Sequence, residues 1–358
     1  MWRTWERQGS EAVGMADFSG KPEFAGAGSV STAPGICLPS RLLSGREAVR
    51  LAVLAEELGF SGVWVSEVSN LDGVAILGAI AQATEAIGIG SAILPVASRS
   101  AAVLAMAGAT LEGLAPGRVT LGLGVSSSRI VEAWHGRNFG SALDSVRDCV
   151  TILRQAWGAE TTDLRGASAR SEGFRLDPST GGTPRLYLAA LGPRMRRLAA
   201  ELADGVILNF LPRSRAAEVM AGSRFGRQDY GAATLVRVAD DELSPGSVAM
   251  VRKEVASYLR VPQYRSWLEE CGLRIPLDAS GSGREWLQEV ASALPEGFVA
   301  DSAVMGGVGA CDVAFSSLAE AGVVPLALPV VEAGDTNAFE RVMRGMAESA
   351  LRRPGRGR

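Results

Sequence analysis

Two short stretches of this chain have the residue types that hold an anion. In Gly122-Leu123-Gly124-Val125-Ser126-Ser127-Ser128-Arg129, two glycines permit close approach of backbone to a ligand, and three serines follow with N–H and hydroxyl donors. In Leu191-Gly192-Pro193-Arg194, the Gly-Pro pair opens a helix whose free N–H groups favour a phosphate. Either stretch alone reads as a tight turn; two at the ends of neighbouring strands point to a phosphate-bearing ligand. Arg129 and Arg194 would supply charge. Glu67, directly after Ser66, offers a carboxylate that could hydrogen-bond a ligand ring or move a proton, or simply form an ion pair on the rim. Trp134 and His135 could stack on a substrate and donate a proton; the plainer reading is a packed loop aromatic beside a partly exposed histidine. Asn209 brings an amide to the end of another strand. Asp163, Glu172 and the Arg194-Arg196-Arg197 group read as solvated faces, with a role for Arg194 alone.

Other chemistries are excluded by what the chain lacks. His135 is the only histidine, so no mechanism needing two, and no histidine-rich metal cage, is available. Cys37, Cys149, Cys271 and Cys311 are far apart with no CxxC pair, which argues against a metal site or disulfide framework and for idle thiols in a reducing cytoplasm. A net charge of −3 gives no case for nucleic acid or an anionic membrane. No apolar run of about 18 residues predicts a membrane span. Residues 1–30 lack an apolar signal-peptide core and are expected to form a flexible arm, with Met15 a candidate alternative start.

The elements that must position these residues recur in a regular order. Short apolar runs are expected as strands at 35–38, 63–66, 87–94, 118–122, 185–190, 205–210, 232–238 and 323–331, with helical periodicity between them over 46–58, 74–84, 101–114, 144–157 and 193–202 and after them over 336–351. Alternation of strand and helix implies a parallel sheet with helices outside it, and apolar runs without strict alternation fit strands buried on both faces. Alternation alone does not separate a barrel from an open doubly wound sheet, but eight strands favour a (β/α)8 TIM barrel. We expect one such domain over 31–352, with a helical and irregular insert at about 246–309 between strands seven and eight. In a parallel barrel the active site lies at the C-terminal ends of the strands, which is where Glu67, Ser126, Gly192 and Asn209 fall.

Several segments, in order, resemble the luciferase-like monooxygenase superfamily: Gly88-Ile89-Gly90-Ser91-Ala92-Ile93-Leu94-Pro95, Arg99, Pro116-Gly117-Arg118-Val119-Thr120-Leu121-Gly122-Leu123-Gly124, Leu188-Ala189-Ala190-Leu191-Gly192-Pro193-Arg194-Met195 and Ala203-Asp204-Gly205-Val206-Ile207-Leu208. The last two are most similar to the branch that uses the deazaflavin coenzyme F420. The resemblance implies a non-prolyl cis peptide at Ala92–Ile93 behind the cofactor ring, with Ser66 and Glu67 near its polar edge. It also implies that the Gly122 to Ser126 turn and Leu191 to Arg194 hold the phosphate and tail, and that the chain pairs as a homodimer through the helices after strands two and three. Two positions depart from relatives: Val68 stands where several members carry a histidine, and serines fill the strand-four loop where a glucose-6-phosphate dehydrogenase branch has an acid. The expected activity is F420-dependent hydride transfer to or from a small organic substrate, with Glu67, Trp134, His135 and Asn209 on the substrate side. The alternatives are a monooxygenase using reduced FMN and a non-catalytic barrel that serves as a binding protein.

Overall fold

The computed structural model describes residues 33–39, 43–224, 227, 229–275, 281 and 283–351; the arm expected over residues 1–30 lies outside them. Eight strands form the barrel wall: β1 (Gly35–Leu38), β2 (Gly62–Val65), β3 (Gly88–Ser91), β4 (Val119–Gly124), β5 (Arg185–Ala189), β6 (Gly205–Asn209), β7 (Gly231–Val238) and β8 (Val324–Pro329). Each pairs in parallel with the next, and β8 pairs with β1 to close the ring. This is the expected (β/α)8 barrel, and closure leaves no open sheet edge among these strands. A two-residue strand, Leu94–Pro95, continues past β3 and pairs with Leu123 and Gly124.

The strands form here because apolar residues face both ways. Outward side chains pack under the helices α1 (Gly45–Glu57), α2 (Gly73–Ala83), α3 (Ala101–Leu114), α4 (Ala142–Trp157), α5 (Pro193–Leu202) and α6 (Ala216–Arg224). Helix α1 begins at a reciprocal cap, in which the Glu47 N–H donates to Ser44 Oγ (3.3 Å) and the Ser44 N–H donates to Glu47 Oε2 (2.8 Å). It stops before Gly59, whose φ of +78° a side chain would disfavour. Inward side chains make a second, smaller cluster of Cys37, Ala92, Ile207, Ala233, Leu235 and Leu326, with Trp64, Tyr187 and Leu328 against it. At the N-terminal end the Tyr187 ring takes the space beside Gly205 and Gly231; a Cβ on Gly231 would lie 1.7 Å from its hydroxyl. That end is therefore plugged by protein, and ligands must enter from the C-terminal mouth.

The segment between β7 and β8 is more regular than its sequence suggests. It carries α7 (Ser247–Tyr258), α8 (Pro262–Glu270), α9 (Gly283–Ala293), α10 (Glu296–Ser302), a two-residue strand Ala303–Val304 beside β7, and α11 (Cys311–Glu320); α12 (Thr336–Leu351) follows β8. An antiparallel hairpin, Asp163–Arg165 with Arg170–Glu172, and helix α6 have no counterpart in the sequence reading. Asp163 and Glu172 are both exposed as expected, and Glu172 forms surface ion pairs with Arg165 at 2.6 Å and with Arg170.

Candidate active site

The floor of the mouth is built between β3 and its short continuation. The Ala92–Ile93 peptide bond is cis, at the position the resemblance implies. It is tied on three sides: the Ala92 N–H donates to the Val65 carbonyl (2.8 Å), Ser66 Oγ donates to the Ala92 carbonyl (2.7 Å), and the Glu67 N–H donates to the Ile93 carbonyl (3.2 Å). Gly122 and Gly124 sit against this floor, and both serve protein packing. A Cβ on Gly122 would lie 1.9 Å from the Ser91 carbonyl oxygen, and one on Gly124 would lie 3.1 Å from Ile93 and Ala189 side-chain atoms. Ser91 Oγ also clasps Gly122, accepting from its N–H (2.9 Å) and donating to its carbonyl (2.8 Å). The space that a side chain would need at both positions is thus already occupied by this chain.

Strands β4 and β5 are paired, with Leu123 opposite Leu188, so the Val125–Ser126 turn and the segment leading to α5 leave the C-terminal ends of neighbouring strands. Ser126 has φ +62°, a left-handed turn in a non-glycine residue. Gly192 is the N-cap of α5 with no side-chain cap, and nothing lies within 4 Å of where its Cβ would be. Gly192, Pro193 and Arg194 are exposed and Leu191 is half-buried, so the first N–H groups of α5 open outward.

Arg196 departs from the sequence reading. It is only 8% exposed, donates to Glu270 (2.6 Å) and to the Leu191 carbonyl, and stacks over Trp267 at 5.3 Å. It is a buried tie between α5 and α8, not part of a solvated face, because α8 supplies the covering ring and countercharge from far along the chain.

Glu67 is held in an ion pair. Arg99 donates to both its oxygens at 2.7 Å, the Gly73 N–H at the start of α2 donates to Oε2 (2.8 Å), and Ser98 Oγ donates to Oε1 (3.2 Å). Arg99 reaches Asp72 as well, and the carboxylates raise the Arg99 pKa further, above all through the bonds to Glu67. Trp134 and His135 lie on and just after a π-helical turn, Arg129–Trp134; Trp134 is 49% exposed and His135 is exposed.

Asn209 is at the mouth but engaged by protein. Its Nδ2 donates to the Tyr264 hydroxyl (3.0 Å), its Oδ1 accepts from Arg237, and its carbonyl accepts from Trp267 Nε1 (2.8 Å). Arg237, on β7, is the group that the sequence reading missed. It is 2% exposed, donates to Glu254 of α7 (2.6 Å), and lies over the Phe210 ring at 3.9 Å. Burial acts to lower its pKa, but the charge and hydrogen bonds of Glu254 outweigh that and raise it. The signal was present: Arg237 shares the inward parity of Ala233 and Leu235 in an otherwise apolar strand. Burial also pushes the Cys37 thiol, at the mouth on β1, up to about 11.

A cavity of about 470 Å³ opens beside this network. Its walls come from the ends of β1 (Pro39), β2 (Val68) and β8 (Leu328, Val330), from α7 (Glu254, Tyr258) and from α12 (Phe339). Of the residues singled out from the sequence, Val68 alone lines it, directly after Glu67. Around the ring the order is therefore cavity at β8, β1 and β2, floor at β3, and open helix start at β4 and β5. Among the described residues no group of histidine, cysteine, aspartate and glutamate could hold a metal ion, and no helix is long and apolar enough to cross a membrane.

A profile described as luciferase-like monooxygenase matches residues 25–324. The chain belongs to this family. One family relative is the F420-dependent glucose-6-phosphate dehydrogenase of Nocardia farcinica, 34% identical over 177 residues; the match covers 45% of this chain and 52% of the enzyme, about half its length. Two solved structures share the fold. An F420-dependent secondary alcohol dehydrogenase in complex with an F420-acetone adduct superposes with TM-score 0.67 at 19% identity, covering 88% of this chain and 99% of that one. The oxygenating constituent of 3,6-diketocamphane monooxygenase from Pseudomonas putida, in complex with FMN, does so with TM-score 0.60 at 16% identity, covering 88% and 97%. Luciferase-like monooxygenases are an oxidoreductase family, and the closed barrel is the scaffold on which this member would act.

Proposed function

We propose that this protein is an F420-dependent oxidoreductase that moves a hydride between a deazaflavin and a small organic substrate at the barrel mouth. One observation carries the reading: the uncapped start of α5 and the Ser126 turn follow the ends of neighbouring strands, beside a floor of backbone tied at Ala92 and Ile93. That arrangement fits a cofactor with a phosphate at one end and a flat ring at the other. The N–H groups of Arg194 and Met195, with Ser126 and the Arg194 side chain, would take the phosphate. Ala92 and Ile93 would back the ring. When bound, the deazaflavin supplies or accepts the hydride. The chain's own part is to bind, orient and exclude. Ser66 and Glu67 hold the floor through hydrogen bonds; Glu67, tied to Arg99, positions backbone and does not transfer protons. Trp134 and His135, exposed on their turn, would close over ligand from the β4 side. The choice of F420 rests on the Nocardia relative, whose name states that cofactor.

The test is equilibrium titration of the purified protein with F420 and, separately, with FMN. We expect F420 to bind with a dissociation constant in the micromolar range or tighter and FMN at least tenfold more weakly. Gly192→Asp, which places a carboxylate at the open start of α5, should weaken F420 at least tenfold without unfolding the protein. Tighter binding of FMN, with substrate-dependent oxygen uptake, would instead establish the monooxygenase reading.

A further inference from the structure

The cavity at β8, β1 and β2 carries a group suited to act on a substrate, a reading that rests on the proposed hydride transfer. The cavity adjoins the floor. Val68, in its wall, follows Glu67, whose N–H holds the Ile93 carbonyl, and Leu328 packs in the inner cluster with Ala92 and Ile93. Much of the wall is hydrocarbon, from Pro39, Val68, Leu328, Val330 and Phe339, and three hydroxyl residues stand among them: Ser257, Tyr258 and Thr336. These three are not alike. Ser257 Oγ donates to the Glu254 carbonyl of its own helix (2.7 Å), and the Thr336 hydroxyl interacts with the Glu47 carboxylate. Tyr258 is a phenol, which gives up a proton far more readily than an aliphatic hydroxyl does.

The surroundings of Tyr258 hold its ring in place. Glu254 and Tyr258 are four residues apart on α7 and so share a face. Glu254 Oε1 takes both bonds from buried Arg237, at 2.6 and 3.2 Å, which anchors that face to β7. The Tyr258 ring meets Phe210 edge-on at 5.1 Å and Tyr264 at 4.4 Å, and the Tyr264 hydroxyl is itself tied by the bond from Asn209. Arg237 lies over Phe210 at 3.9 Å, so a buried cation stands one ring away from Tyr258. Burial works against the Arg237 charge, while Glu254, Tyr258 and Tyr264 work for it. The attraction is reciprocal, so the same cation would stabilise a phenolate at Tyr258.

We infer that Tyr258 is the catalytic acid of the proposed reaction, and that its substrate is a small, uncharged, mostly apolar carbonyl compound whose oxygen receives the Tyr258 proton. The carbonyl carbon takes a hydride with its electron pair from the reduced deazaflavin, the C=O π pair moves to oxygen, and that oxygen takes the proton from the Tyr258 hydroxyl. The substrate gains two electrons and leaves as an alcohol, and the deazaflavin loses them. The phenolate regains its proton from water, which reaches Tyr258 because the residue stays partly exposed. An anionic substrate is disfavoured, because Glu254, Glu332 and Asp335 line the cavity and no lysine or arginine among its described lining residues offsets them. A cation is not called for either: Glu254 already holds Arg237, and Asp335 accepts from the Ala338 N–H. The proton donors suggested by the sequence stand elsewhere, Glu67 locked to Arg99 and His135 after β4.

The test has one readout that needs no cofactor. Cyclohexanone, isotopically labelled at its carbonyl and bound to the whole protein without F420, should show a carbonyl stretch at lower frequency than in hexane by infrared difference spectroscopy. Tyr258→Phe keeps the ring on Phe210 and Tyr264 and removes only the hydroxyl; it should return the band towards its hexane position. Ser257→Ala, which takes an aliphatic hydroxyl from the same wall, should leave the shifted band in place. With F420 bound and reduced, cyclohexanone should turn over, and Tyr258→Phe should lower kcat at least a hundredfold with KM changed less than about threefold and F420 titration unchanged. No ketone binding, a band that stays shifted in Tyr258→Phe or returns in Ser257→Ala, or turnover that survives Tyr258→Phe overturns the proposal. A band shift that depends on Tyr258, without F420 binding, sinks the cofactor reading alone; F420 binding with ketone turnover unchanged by Tyr258→Phe sinks this one alone.

Discussion

Gly122→Ala is the sharpest test of how the floor is built. The added methyl would lie 1.9 Å from the Ser91 carbonyl oxygen and 2.6 Å from Ile207 Cδ1, so backbone must move. Overpacking of this kind costs about 1–3 kcal/mol. The shift also breaks the two bonds between Ser91 Oγ and the Gly122 backbone, now 2.8 and 2.9 Å long, in a fully buried setting. At about 1 kcal/mol for each, the total is about 3–5 kcal/mol. For a chain of this size that corresponds to a Tm lowered by about 4–7 °C. Urea unfolding measures the free energy and calorimetry the Tm. Gly78→Ala is the control: nothing lies within 4 Å of its Cβ position in α2, so it should stabilise by about 0.5–1 kcal/mol. F420 affinity should fall for Gly122→Ala and hold for Gly78→Ala. A loss below about 1 kcal/mol at Gly122 refutes the packing assigned to β3 and β4.

Three further outcomes concern other parts of the framework. Glu56 accepts from the N–H groups of Glu85, Ala86 and Ile87, and although burial acts to raise its pKa, these bonds lower it overall. A lowered carboxylate pKa stabilises the fold above its unfolded value of about 4.3, and that contribution is lost as pH falls through the folded value. Glu56→Ala should therefore unfold more easily near neutral pH, with the gap to the parent closing below about pH 4; an unchanged gap through that range contradicts the assignment. Arg237→Lys cannot span Glu254 and Asn209 while lying over Phe210, so urea unfolding should show a loss of about 2 kcal/mol, and a neutral result removes Arg237 from the mouth's framework. The four cysteines are free and buried, and burial pushes Cys149, Cys271 and Cys311 up to about 12. A thiol reagent near pH 8 should leave all four untouched until the protein is denatured; rapid reaction of any one in the folded state contradicts their burial.

The barrel was legible because its strands are apolar on both faces and bounded by glycine, so each shows as a run regardless of what lies across the ring. Strand ends moved by only a residue or two, except that β4 continues to Gly124 and the expected third strand breaks at the Ala92–Ile93 floor. The open start of α5 was legible for a local reason: Gly-Pro at a helix start has little else to mean. Glu67 was placed correctly at the mouth, but its partner Arg99 comes from the end of the next strand and decides whether the carboxylate is free. Arg196 and Glu254 show the limit most plainly. Nothing within a few residues of Arg196 announces Trp267 and Glu270, and nothing in α7 announces that Glu254 meets Arg237. Helices between β7 and β8 bring those groups together, and their polar, weakly periodic sequences gave no sign of which face would cover the mouth.

Hydrogen–deuterium exchange with and without reduced F420 tests the central claim most directly, because it reads where the cofactor lies rather than whether it binds. A ring on the β3 floor and a phosphate at the start of α5 predict slowed exchange at residues 91–95, 124–130 and 191–196, with residues 328–336 unchanged. Protection confined to residues 328–336, with none at the start of α5, would contradict that placement.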